Sequence, residues 1–347
     1  MAAHIFRWDL DKTYLQTEFD SVRDLVRTAR LTAEERQNVP GSAALLRAIR
    51  RDDPGHQIYF ISGSPNQMRP VLEQKFELDG FSPDGFVLKP TLRHMIRGRF
   101  RAIRGQVAYK LTQLLVGRAE AKVGTMETLV GDDAESDAFV YTLYADLLSG
   151  RASRGAVREL LTRTGAYPFQ VDEVEEAARW VVKEPVVKRL IIHLDQRTPA
   201  AAFEPYAPRC IPVFSHLQTA LVFFMDESLG AHAVHAVAEE LMQDYAHDGR
   251  EIGNLVVDLV RRCRRDGPPD AVERIAAALA AYEGTERVQL ALREAAERVR
   301  RLRSSSFENP RPSRPELTNY VQLWQDEKKR RADRKRARRA EPRAPSR

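Results

Sequence analysis

The first 150 residues alternate short apolar strands with helical segments, and this alternation constrains the fold more than any other feature. Strands that arrive singly between helices predict a parallel α/β sheet with helices on both faces. The predicted strands are His4–Trp8, Gln57–Ile61, Gly85–Leu88 and Glu127–Val130. Helices are expected near Asp20–Arg30, Gly41–Arg51, Asn66–Lys75, Val107–Ala119 and Ser136–Leu148. Thr32 and Glu35 have capping-box spacing, and Pro40-Gly41 breaks the chain before Ser42.

After residue 150 no strand is predicted, and apolar residues recur at helical spacing. Val234, Val237, Leu241 and Tyr245 form one stripe, with others at Ile252–Cys263, Val272–Tyr282 and Val288–Leu302. Gly230, Gly249, Gly267 and Gly284 punctuate them, so an array of antiparallel helices is expected, without a repeated side-chain signature. Arg303 to Pro315 reads as a linker, and Leu317 to Trp324 as one last short helix. The expected domains are therefore an α/β unit at 1–150, an all-α helical domain at 151–302, and a linker with a basic, mostly disordered tail at 303–347.

Charge is unevenly placed. The 347 residues carry a formal net charge of +6, but residues 327–347 hold eleven Lys/Arg against Glu327, Asp333 and Glu341, which is +8. The rest of the chain is 6 − 8 = −2. A block of like charge repels itself and is expected to be solvated, with weak contact to anionic lipid or nucleic acid. No aromatic residue interrupts it, so base stacking has no platform there.

Apolar residues make up 43% and charged residues 30%, which excludes a wholly disordered or membrane-embedded chain. The longest apolar run, Ile211 to Met225, is interrupted by Ser215, His216 and Gln218 and is too short to span a bilayer of about 20 apolar residues. Cys210 and Cys263 give no disulfide framework, and no leader-like segment is read at the start. A cytoplasmic protein is expected, with the tail as its only route to a peripheral membrane contact.

Chemistry-bearing residues collect at the strand ends. Asp9 and Asp11 follow the first strand two residues apart, so both can face the carboxyl edge of the sheet, where ligands of open parallel sheets bind. Two close carboxylates repel unless a cation neutralises them, and an all-oxygen site suits Mg²⁺; alternatively, Asp11 caps the turn after the strand. The second strand ends Ile61-Ser62-Gly63-Ser64-Pro65, suited to holding an oxyanion through hydroxyl and backbone donors. Ser64 and Pro65 alternatively start a helix as cap and first residue. The fourth strand runs into Gly131-Asp132-Asp133-Ala134-Glu135-Ser136-Asp137, a cation site or a solvated helix cap. Lys110 lies in the first turn of the preceding helix, within reach of the same edge.

In order and placement, these pieces resemble the haloacid dehalogenase (HAD) superfamily. More narrowly, residues 1–150 resemble the catalytic domain of the actin-patch-associated phosphatidate phosphatases, relatives of lipin, through Ile61 to Pro65 and Gly131 to Tyr141. Lys12 stands where the superfamily often has glycine, Asn66 where those lipid phosphatases have tryptophan, and Asp133 in place of a serine. The resemblance implies that Asp9 is the nucleophile and Asp11 the general acid and base, with Thr13 supporting their loop. It implies that Ser62 and the Gly63 amide hold phosphoryl oxygens and that Lys110, rather than Lys89, screens Asp9. It also implies Mg²⁺ on Asp9, the Asp11 carbonyl and Asp132, with Asp137 beside them.

Neither of the two intervals that carry lid domains in such enzymes has room for one. Thr13 and Gln57 are 57 − 13 = 44 positions apart, and Pro65 and Lys110 are 110 − 65 = 45 apart. An open site taking a bulky phosphate ester is expected. Arg93, Arg97, Arg99, Arg101 and Arg104 form a basic cluster that would gather a polyanion or simply face solvent. His232 and His235 have ligand-like spacing but no third partner. The expected function is a Mg²⁺-dependent phosphomonoesterase; the alternative is a scaffold with a vestigial catalytic domain, and oligomeric state is open.

Overall fold

A computed structural model of the chain describes residues 3–17, 31–89, 106–263, 270–302 and 319–340. Six strands, β1 (His4–Asp9), β2 (Gln57–Pro65), β3 (Gly85–Lys89), β4 (Met126–Asp132), β5 (Val187–His193) and β6 (Cys210–Val213), form one sheet in the order β3-β2-β1-β4-β5-β6. Every pair is parallel. The chain first steps outward from β1 to β3, then restarts on the other side of β1 with β4. The crevice at this reversal, between the carboxyl ends of β1 and β4, is where open α/β sheets take ligands.

The structure departs from the expectations first in the sheet. Strands do not stop at residue 150: β5 and β6 extend the sheet, so no boundary falls between 150 and 151. Both strands were hidden by their composition. Leu190-Ile191-Ile192 is a continuous apolar run, as expected of a strand covered on both faces, and such a run lacks the alternation that marks a strand. In β6 the residue Pro212 argues against a strand, but β6 is the sheet's edge, where a missing amide is tolerated.

Helices cover both faces. On one face α1 (Ser42–Asp52) and α2 (Arg69–Leu78) pack with α7 (His216–Met225), α8 (Ala231–Gln243), α9 (Gly249–Cys263), α10 (Ala271–Ala280) and α11 (Glu286–Leu302). Their apolar stripes fall where the periodicity predicts. One continuous core joins Phe6, Trp8 and Phe60 of the strands to Val237, Val256 and Leu292 of the helices. The Phe6 and Phe223 rings lie 5.1 Å apart, and Arg47 of α1 pairs with Glu240 of α8 at 2.7 Å. The helical array is thus one layer of the α/β unit, not a second domain. His232 and His235 lie against the backbone carbonyls of Ala48 (3.3 Å) and Ala278 (2.7 Å), which fits packing rather than metal binding.

The other face carries α3 (Gln106–Ala119), α4 (Asp137–Leu148), α5 (Arg154–Thr164) and α6 (Pro168–Arg179) over Leu129, Leu190 and Ile192. It also carries α12 (Tyr320–Ala340), the second correction. Half of the segment expected to be a disordered tail is helical, and its Trp324 is buried against Phe139, ring to ring at 5.1 Å. Like charges along a helix repel, but an aromatic anchor and internal carboxylates offset this. The Thr32/Glu35 capping box does form, with the Thr32 amide donating to Glu35 at 2.8 Å, yet it closes a turn, not a helix. The expected helix at Asp20–Arg30 and the arginine cluster at 93–104 lie outside the described residues.

Candidate active site

The carboxyl ends of β1 and β4 bring three carboxylates together. Asp9 closes β1 and Asp132 closes β4, while Asp137 starts α4 and turns back over the strand end. One oxygen from each lies within 4.8 Å of the others. Gly131 makes this approach possible: a Cβ there would stand 2.8 Å from the Asp137 carboxyl carbon, inside van der Waals contact. The second turn of α3 supplies Lys110, whose Nζ donates to Asp9 Oδ1 at 2.7 Å and Asp137 Oδ1 at 2.5 Å, and pairs with Glu135 Oε2 at 2.7 Å.

Charge does not balance here. One ammonium faces Asp9, Glu135 and Asp137, with Asp132 beside them; the three aspartates are buried and Glu135 is half-buried. Burial pushes the Asp9 carboxyl well up; Lys110 opposes this, while Asp137, Glu135 and Asp132 add to it. Asp132 is pushed up in the same way, by burial and then by Asp137 and Glu135. Burial pulls the Lys110 ammonium down, but Asp137, Asp9 and Glu135 together hold it well above its ordinary value. Glu135 goes the other way: burial raises it, yet Lys110, aided by Lys89 and Gln106, brings it down to about 2. Asp9 Oδ2 and Asp132 Oδ2 are buried without a hydrogen-bond partner among the described residues. Buried polar atoms are rarely left so, and two orphaned carboxylate oxygens over an acidic excess fit a divalent cation.

Asp11 is held differently. Its Oδ2 accepts from the hydroxyls of Ser62 (3.0 Å) and Ser64 (2.7 Å), and its Oδ1 has no partner among the described residues. The carboxylate is therefore not in the three-carboxylate cluster. Burial raises its pKa, against the two serine hydroxyls. Ser64 caps no helix, since β2 runs on to Pro65. Ser62 is occupied too, donating to Asp11 while accepting from the Ser64 amide at 2.9 Å. Gly63 is more open, and Lys89 Nζ stands 3.9 Å from where a Cβ would lie. Lys110, not Lys89, reaches Asp9. Lys89 instead lies over the Tyr109 ring at 5.2 Å, its pKa lowered by burial.

Two histidines that the sequence did not single out hold the loop after Asp9. Lys12 sits at φ 63, the left-handed region where glycine is at ease. Its carbonyl lies 3.0 Å from His193 Nδ1, at the end of β5, and the Thr13 carbonyl lies 2.8 Å from His216 Nε2, in α7. A carbonyl only accepts, so each imidazole must donate at that nitrogen. The rings stack at 5.3 Å, and burial keeps both neutral, lowering His216 to about 3. Thr13 thus supports the loop through its carbonyl; its hydroxyl has no partner among the described residues. The only sequence signal for His193 was a histidine closing an apolar run, which marks a strand end as readily as a site.

Residues 8–159 match the model of the phosphatidate phosphatase APP1 catalytic domain family. The match covers less than half the chain and spans the end of β1 to β4 with their helices, so this segment is similar to a phosphatidate phosphatase catalytic domain. Comparisons with curated proteins and with solved structures gave no match.

Proposed function

We propose that the chain is a HAD-type, Mg²⁺-dependent phosphatase acting on phosphatidate or another bulky phosphomonoester. The observation that carries this reading is the charge imbalance around Lys110: three carboxylates share one ammonium while Asp9 and Asp132 each keep a buried oxygen free. A purely structural cluster would be expected to pair those atoms. When bound, Mg²⁺ would be held by Asp9, Asp132 and Asp137, with the Asp11 carbonyl as a further ligand, and would offset charge on these groups and on phosphoryl oxygens.

Asp9 is the nucleophile. One oxygen of its carboxylate forms a bond to phosphorus as the ester P–O bond breaks, giving an aspartyl-phosphate. Asp11, raised by burial and with Oδ1 unengaged, gives its proton to the leaving oxygen. As carboxylate it then takes a proton from water, which attacks phosphorus and returns Asp9 with release of inorganic phosphate. Ser62 and Ser64 orient Asp11, and Lys110 holds Asp9 through its Oδ1. The Gly63 amide, with Lys89 close by, is placed for the phosphoryl oxygens. Described residues in the two spacings that could hold a lid form α1, α2 and β3, which supports an open site for a bulky ester.

Phosphate release tests this directly, with and without Mg²⁺, for wild type and Asp9→Asn, on phosphatidate micelles, a phosphopeptide pool and a 5′-phosphorylated oligonucleotide. The expected result is Mg²⁺-dependent turnover of phosphatidate that Asp9→Asn abolishes. Turnover of only the peptide or the oligonucleotide would move the substrate class. No turnover of any by a folded, Mg²⁺-binding protein would overturn the reading.

A further inference from the structure

We propose that α12 braces the acidic loop of the cation site, with Arg331 and Arg334 as positioning residues for Asp132 and Asp137. This rests on the cation site described above.

The helix presents one stripe to the sheet unit: Tyr320, Trp324, Glu327, Arg331 and Arg334, spaced 4, 3, 4 and 3 residues apart. Its first half is anchored away from the site. The Tyr320 hydroxyl donates to Asp146 Oδ2 at 2.8 Å, Trp324 packs on Phe139, and the Arg330 guanidinium lies 4.7 Å from the Phe203 ring centre. Its second half reaches the loop. Arg331 Nη1 donates to Ser136 Oγ at 2.7 Å. Arg334 Nη1 donates to the Asp133 carbonyl at 2.6 Å and to Thr198 Oγ1 at 2.9 Å, and lies 3.6 Å from Asp133 Oδ2.

These contacts sort the loop's four carboxylates. Asp133 is turned away from the cluster, its oxygens accepting from the backbone amides of Gln196 (2.8 Å) and Thr198 (3.0 Å), with Arg334 as counter-ion. Its neighbour Asp132 then faces inward, and Ser136, tied to Arg331, sets the start of α4 and the direction of Asp137. Without the two guanidiniums, Asp133 would keep only its two backbone amides and no counter-ion, and Ser136 would lose its tie to α12. The described outer face of α12 has no comparable bias, since Lys328, Lys329 and Arg336 are accompanied by Asp326 and Asp333. The helix therefore acts through its inner arginines, and a partner for its outer face is not needed to explain it.

Residues that orient metal ligands from outside commonly alter metal affinity about 10- to 100-fold when removed. The test titrates full-length wild type, Arg334→Ala, Arg334→Lys and Arg331→Ala with Mn²⁺, reading free Mn²⁺ by its electron paramagnetic resonance signal at low temperature. Thermal stability without cation is measured in parallel. Arg334→Ala is expected to bind Mn²⁺ about tenfold more weakly, and Arg331→Ala roughly fivefold more weakly, as for loss of a single hydrogen bond outside the ligand set. Arg334→Lys, which restores a charged donor, should recover part of the loss. A helix that merely covers the surface would lower thermal stability and leave Mn²⁺ affinity at the wild-type value in all three, and that result overturns the brace. If Arg334→Ala does not fold, Arg334→Lys and Arg331→Ala decide the matter. Mn²⁺ binding that weakens as expected in a protein that cleaves no phosphate ester would sink the proposed function and leave the brace standing.

Discussion

The sheet carries two buried charge networks built from the same three elements. At one end, Arg7 of β1, Glu127 of β4 and Arg118 of α3 meet; at the other, Asp9, Asp132 and Lys110 come from those same elements. In the first network every Glu127 oxygen is used. Oε2 accepts from Arg7 Nε (2.8 Å) and the Tyr144 hydroxyl (2.9 Å), and Oε1 from Arg118 Nη1 (2.8 Å) and Arg7 Nη2 (3.2 Å). Burial would raise the Glu127 pKa, but Arg7 and Arg118 bring it below its ordinary value. In the second, carboxylates outnumber cations and oxygens are left over. The first network is closed and serves stability; the second is open and has capacity for a ligand.

The two networks part most clearly under mutation. Asp9→Asn is expected to reduce turnover about 10⁴-fold or more, as loss of a nucleophile does. It relieves the acidic excess, so cation-free thermal stability should not fall. Glu127→Ala should do the reverse, destabilising by about 3–5 kcal/mol because Arg7 is left buried and unpaired. Mn²⁺ affinity of its folded fraction should match wild type. Chemical denaturation beside metal titration separates the two, and equal destabilisation by both variants would mean that the networks do not differ in kind.

Divalent cation should distinguish the two ends next. At a hundredfold excess over its dissociation constant, Mg²⁺ should stabilise wild type by about 2.7 kcal/mol. Asp132→Asn should lose that increment and Glu127→Ala should keep it, as read by calorimetric melting.

Per pH unit, a smaller effect comes from His216. It is lowered in the fold, so between pH 6.5 and about 3 the unfolded chain binds a proton that the folded chain does not. Stability therefore rises with pH across that window, by up to about 1.4 kcal/mol per pH unit, and the contribution is lost as pH falls. His216→Gln can still donate to the Thr13 carbonyl and should flatten the slope by this amount in denaturation series at several pH values. An unchanged slope would place the acid sensitivity elsewhere, with His4, which burial also lowers to about 3, as the nearest cause. The smallest expected change is at Lys12, where Lys12→Gly relieves a left-handed backbone and should shift stability by less than about 1 kcal/mol.

How much of this was legible depended on how local the signal was. Asp9, Asp11, Ser62, Lys110, Asp132 and Asp137 sit at strand ends and helix starts, so a correct strand assignment brings them to one edge without further information. Glu135 was visible as a charge in the loop, but its contact with Lys110 depends on how the turn is wound. His193 and His216 depend on β5 and on α7, and β5 was missed because a doubly covered strand shows no alternation. Their partners are backbone carbonyls, which no side-chain pattern reveals. Arg331 and Arg334 were obscured by their surroundings: among eleven basic residues in 327–347, nothing local distinguishes the two that reach the acidic loop.

The hydrogen bond from His216 to the Thr13 carbonyl joins positions 203 residues apart. A ribosome adding about 5–20 residues per second needs on the order of 10–40 s to cover that interval. Throughout it the nascent Asp9–Thr13 segment has emerged without the imidazoles that shape it, and β1 waits for β4 on one flank. A growing chain therefore displays these carboxylates long before they are brought together, and the site is completed late, once the distant helix has been made.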